Sequence, residues 1–216
     1  MFKENRKNIV SIICALLYTV MLILNIDFQL PFAQNFRYII NSLVIDIMPL
    51  ITPVLCLVFL FSINKEYKFK KWLLPIAFGV NAINVFLSLC GSFSVIGLLQ
   101  HLAAGYIEIL FCRCLILVSI IFIFIGTLSN FKYSSFIKYG TLCCAVLNFF
   151  ILTIEFISIG GFKYLQSVPM GVPAVNLIPL ITFLTSVLFY IGIFILTINK
   201  KENWFSVTKC TFSQSN

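Results

Sequence analysis

Charge is the scarcest property of this sequence. Only 10% of its 216 residues are Asp, Glu, Lys or Arg, while 61% are hydrophobic. A soluble domain carries about 25% charged and about 45–50% apolar residues, so a water-soluble fold of this length would lack the polar side chains to cover its surface. The shortage is also local, because residues 73–107 contain no Asp, Glu, Lys or Arg at all. Histidine is nearly missing too: His101 stands alone. That removes the usual base for nucleophilic catalysis and the commonest nitrogen ligand for a metal.

Other absences exclude further chemistry. Eight cysteines are present, but Cys112 with Cys114 and Cys143 with Cys144 do not have the Cys-x-x-Cys spacing of zinc or redox sites. Most of the cysteines lie in apolar runs, where the thiol behaves as a small hydrophobe. No metal and no cofactor are expected. The segment Gly91-Ser92-Phe93-Ser94 does not supply the Gly-x-Ser-Gly element of a rhomboid-type protease, and only Asp46 lies deep enough for an intramembrane aspartyl pair. There is no glycine-rich phosphate loop, so nucleotide hydrolysis by this chain is excluded. No catalytic residue is assigned.

What the sequence does contain is long apolar runs. A run of about 18 or more apolar residues spans the hydrocarbon core, which is about 30 Å thick at about 1.5 Å of rise per residue. Six such runs are predicted as helices, over 9–26, 39–63, 72–90, 105–128, 139–159 and 175–198. The expected fold is all-α: a polytopic transmembrane bundle of about six helices, residues 1–216 forming one integral membrane domain. The first run follows Lys3, Arg6 and Lys7, as a signal peptide would, but it is too long for a typical apolar region of about 7–15 residues and no small-x-small site follows. It reads as a retained helix. Residues 91–104 are apolar but short, and fit a tight outer loop or a re-entrant piece.

Basic residues set the orientation. The N-terminus, the loops after the second and fourth runs, and the C-terminal tail hold twelve Lys and Arg, whereas the intervening connections hold only Arg37 and Lys163. By the positive-inside rule both termini are cytoplasmic, and a multi-pass location in the cell membrane is expected. Trp72 and Trp204 stand beside lysines where the chain crosses the interface. The net charge of +8 therefore reads as a topology signal with some attraction to anionic lipid, and no nucleic-acid partner is expected. The lipid bilayer is the first partner; cytoplasmic or membrane subunits are further ones.

Ionisable groups inside membrane spans are costly, about 2.5–3.5 kcal/mol at mid-membrane on insertion scales, and point to function. Four fall within the predicted runs: Asp46, Glu108, Arg113 and Glu155. With the expected orientation all four lie in the outer half. Asn81, Asn84 and Ser88 share one face of the third run, and Thr141, Asn148 and Glu155 one face of the fifth. Arg113 points about 140° away from Glu108 on the helical wheel, so its partner is expected on another helix, Asp46 or Glu155. Pro49 and Pro53 predict a kink or opened turn just below Asp46. The candidate site is thus an outward polar cavity lined by Asp46, Asn81, Asn84, Glu108, Arg113 and Glu155, with three carboxylates to one guanidinium favouring a cation or proton.

Six helices, about 200 residues, both ends inside and an outward polar cluster are together similar to the substrate-binding subunits of energy-coupling-factor vitamin importers. Those subunits dock their partner through an Ala-x-x-x-Ala pattern on helix one. Here Ser11, Ala15 and Thr19 form a small-residue ridge at the same spacing. The resemblance implies a solute-binding or transport role. A non-catalytic membrane subunit of a transporter or of a regulatory or immunity complex, touching its partner through residues 64–71 and the tail, is the second reading. An intramembrane enzyme using the outer carboxylates is the third.

Overall fold

A computed structural model describes residues 2–24, 47–62, 69–92, 107–129, 133–158 and 177–198. Six helices fill these segments: α1 (Phe2–Leu24), α2 (Met48–Phe61), α3 (Lys70–Ser92), α4 (Ile107–Leu128), α5 (Ser134–Ser158) and α6 (Leu177–Ile198). The all-helical expectation is met, with six helices in the expected order. The spans Lys71–Cys90, Ile107–Leu128, Ser134–Ile157 and Leu180–Thr197 are long and apolar enough to cross a membrane, and Asn8–Leu24 and Met48–Phe61 are shorter apolar helices. This is compatible with an integral membrane protein. Residues 39–46 of the predicted second run, Asp46 included, and 93–104 of the outer connection lie outside the described residues.

Each helix packs on its sequence neighbours, and α6 returns to pack on α1, so the six form a closed ring. Neighbours run antiparallel where paired contacts fix the direction. On α4 and α5, Gly126 meets Ile137 and Gly140 meets Ile123. The exchange is reciprocal: each isoleucine sits where the other helix has no side chain. A Cβ at Gly140 would come within 2.9 Å of the Ser119 carbonyl oxygen, and one at Gly126 within 3.2 Å of the Tyr133 carbonyl oxygen. Backbones approach this closely only over glycine, the usual device for joining helices in lipid, where apolar side chains gain nothing by leaving the solvent.

The ring is filled rather than hollow. Phe59, Phe78, Phe189, Ile120, Ile123, Ile137 and Ile151 are fully enclosed. The opposite faces carry exposed large apolar residues at helical spacing, such as Phe111, Leu115, Val118 and Phe122 on α4 and Leu142, Val146, Phe149 and Phe150 on α5. Contiguous apolar surface of this kind would aggregate in water and is what a lipid-facing surface requires.

The prolines behave differently from one another. Pro49 falls in the first turn of α2, where its missing N–H is not required. Pro53 lies inside α2 and is buried. Pro75 also lies inside its helix, because α3 begins at Lys70 rather than Trp72.

The ridge on α1 faces inward. Ser11, Ala15 and Thr19 are all buried, and the Ser11 hydroxyl donates to the Gly192 carbonyl of α6 at 2.8 Å. A Cβ at Gly192 would stand 3.1 Å from Cys14 Cβ. The small residues therefore serve the closure of the chain's own ring, and the external docking ridge that the importer-subunit resemblance implies is not available here.

Candidate functional site

Hydroxyl groups buried in the bundle are satisfied largely within their own helices. Thr19, Ser119, Thr141 and Thr185 each donate to the carbonyl four residues back. Helices also exchange polar contacts across the interior. Thr52 of α2 donates to the Ala77 carbonyl of α3 at 3.1 Å, and Ser186 of α6 lies 3.3 Å from Asn148 Oδ1 of α5. Among the described residues no buried side-chain nitrogen or oxygen lacks a partner. In a medium without water each such group needs one.

Asn81 lies at the centre of this network. Its Nδ2 donates to the Tyr190 hydroxyl at 3.0 Å, joining α3 to α6 across the ring, since these helices are not neighbours. The Tyr190 hydroxyl also lies within electrostatic reach of Cys144, Tyr18 and Cys56. The phenol is thus bonded to α3 and lies within electrostatic reach of groups on α1, α2 and α5. The Cys144 thiol in turn shares a hydrogen bond with Ser119 of α4, which brings the sixth helix into the same cluster. Sequence reasoning selected Asn81 but passed over Tyr190. The signal available was a phenol in mid-span, which in lipid must find a partner.

Arg113 and Glu155 form the second polar feature. Arg113 is half-buried on α4, Glu155 half-buried on α5, and the Glu155 carboxylate acts electrostatically on the Arg113 guanidinium. The contacts of Cys144 with Ser119 and of Gly140 with Ile123 fix the register, so Glu155 starts about five residues, roughly 7 Å, beyond the level of Arg113. Side chains lean toward the N-terminus of their own helix. On antiparallel helices these two therefore lean toward each other. Glu108, exposed at the start of α4, stands at about the level of Glu155. Its charge acts on Cys112 one turn away.

The structure thus brings Arg113, Glu155 and Glu108 to one end of the α4–α5 pair and holds Asn81 apart from them. Contact of Gly79 with Phe124 sets Asn81 about 13 Å along the axis from Arg113, in the middle of the bundle. Asn84 is half-buried on α3 at an intermediate level. Asp46 and His101 lie outside the described residues. On the other side of Asn81, a small cavity beside Ser11, Cys56, Phe78, Phe189 and Ile193 measures about 20 Å³, room for about one water molecule.

Among the described residues no group of three His, Cys, Asp or Glu side chains could hold a metal ion. Cys56, Cys112 and Cys144 are buried in the core, where they pack as small apolar groups. No known protein family, curated protein or solved structure matches the chain.

Proposed function

We propose that this chain is a small membrane protein of solute-binding or transport type, with its polar site at the bundle end where Glu108, Arg113 and Glu155 gather. The observation that carries the reading is that Arg113 and Glu155, on facing helices, lie within electrostatic reach of each other. A guanidinium within a membrane span is expensive, and a single carboxylate from a neighbouring helix offsets that expense only in part. Glu108 adds a second carboxylate at the same level, and Asp46 is the third by sequence. The excess of negative groups suits a small organic cation or a proton. By the distribution of Lys and Arg, this end faces outward from the cell membrane.

The test is a thermal-shift screen of the purified protein against small organic cations across pH. At least one cation is expected to raise the melting temperature of the wild type. Arg113→Gln and Glu155→Gln are expected to abolish that shift, while Asn148→Ala, in the bundle interior, retains it. A wild type that no cation stabilises, or variants that keep the shift, would remove this reading.

The closed interior favours a second reading. With the bundle interior filled by Phe59, Phe78, Phe189 and Ile120, the chain also suits a non-catalytic subunit that contacts a partner through residues 64–71. Copurification in mild detergent separates the two. An ATPase and a second membrane protein recovered with the chain, and lost on Lys70→Glu with Lys71→Glu, would establish the subunit role.

A further inference from the structure

On the outer surface of the bundle, α4 and α5 leave an open groove of about 360 Å³. Ser119 and Gly140 lie along it where the two helices meet. Its walls are Leu115, Val118 and Phe122 from α4 and Phe136, Tyr139 and Cys143 from α5. From Phe136 to Cys143 the groove runs about 10 Å along the helix, within the roughly 15 Å depth of one bilayer leaflet. It starts two residues into α5, at the end where that helix enters the membrane.

The mouth is aromatic and cationic. Phe136 packs on Phe122 at 5.4 Å and stacks on Tyr133 at 5.5 Å between ring centroids. The Lys138 ammonium lies 5.8 Å over the Tyr139 ring, which itself lines the groove. An apolar slot that fits within one leaflet, with aromatic rings and a positive charge at its rim, has the chemistry of a lipid site.

We propose that this groove binds an acyl chain of an anionic glycerophospholipid, whose phosphate meets the Lys138 ammonium. A second copy of the chain is a poorer occupant. The described helices hold three acidic residues: Glu4 at the start of α1, and Glu108 and Glu155 at the far end of the bundle. Within the apolar part of its spans a neighbouring copy aligned in the same membrane therefore offers Lys138 no carboxylate, and only Glu4, at the start of α1, belongs to that end. The phosphate of an anionic lipid lies at the required depth. By the charge distribution of the loops this end is cytoplasmic, and anionic lipid is concentrated in that leaflet.

The test is native mass spectrometry of the purified full chain, titrated with dioleoyl phosphatidylglycerol or dioleoyl phosphatidylcholine. The first phosphatidylglycerol is expected to bind about fivefold more tightly than phosphatidylcholine, the factor one lysine contributes near an anionic phosphate. Lys138→Gln should remove that preference and Lys138→Arg should retain it. Cys143→Phe, which fills the groove from an exposed position, should weaken both lipids. Lys71→Gln removes a comparable cation, 5.7 Å over Trp72, that borders no such groove, and should leave the preference unchanged. Equal binding of the two lipids would overturn the proposal. So would an equal loss on Lys71→Gln, or a dimer that Cys143→Phe dissolves.

Discussion

Gly140 and Gly79 look alike in the sequence, yet their surroundings differ in kind. A methyl at Gly140 would meet a backbone carbonyl oxygen of α4 at 2.9 Å, whereas one at Gly79 would meet only the Phe124 ring edge at 3.2 Å. A ring can tilt aside, but a helical carbonyl moves only if the helix moves. Gly→Ala within a helix otherwise gains about 0.8–1 kcal/mol of propensity. Gly140→Ala is therefore expected to destabilise by about 1–3 kcal/mol, as overpacking does, and Gly79→Ala to stay within about 1 kcal/mol of the wild type. Unfolding of the purified variants in a denaturing detergent checks both; equal effects would mean that the α4–α5 approach is not tight. Tyr190 carries the same lesson. Its aromatic ring fits any apolar run, and only the position of Asn81 on a non-adjacent helix makes its hydroxyl structural.

Whole helices were easier to anticipate than their faces. Apolar runs located all six elements, and the seven-residue recurrence of Thr141, Asn148 and Glu155 marked a face whose first two members are buried. For α1 the same kind of pattern was ambiguous, since a ridge of small residues suits an external partner and an internal neighbour equally well. Its burial against α6 decides for the neighbour. Ala15 is 1% exposed, so Ala15→Leu is expected to lower the stability of the isolated protein by about 1–3 kcal/mol. A variant as stable as wild type that instead lost a copurifying subunit would restore the docking role. Arg113 and Glu155 are an intermediate case. The helical wheel excluded Glu108 as a close intrahelical partner for Arg113, and the antiparallel packing of α4 on α5 set Glu155 within its electrostatic reach.

For the molecule as a whole, the defining feature is the closure of α6 on α1. Gly192 and Cys14 are the test of it, because a Cβ at residue 192 would lie 3.1 Å from Cys14 Cβ and 3.6 Å from its Sγ. That is within a few tenths of an ångström of the roughly 3.5–4.5 Å between Cβ atoms in disulfides. Gly192→Cys is therefore expected to form an intramolecular bridge to Cys14 on mild oxidation, seen as a linked peptide pair by mass spectrometry. The bridge should vanish with Cys14→Ser. An open arrangement, in which the first and last helices face lipid separately, would give no such pair.

Composition and spacing by themselves determined that the chain forms apolar helices, where the six described ones lie, and which polar residues stand within them. These properties are local: a run of apolar side chains satisfies its backbone only as a helix when water is absent, whatever its neighbours do. The ring order, the inward turn of the Ser11–Ala15–Thr19 ridge, the pairing of Asn81 with Tyr190 and the groove above Gly140 were decided only by tertiary packing. Each depends on which helix lies opposite which, at what height. Lipid-facing and partner-facing surfaces are equally apolar, so the sequence alone does not distinguish them.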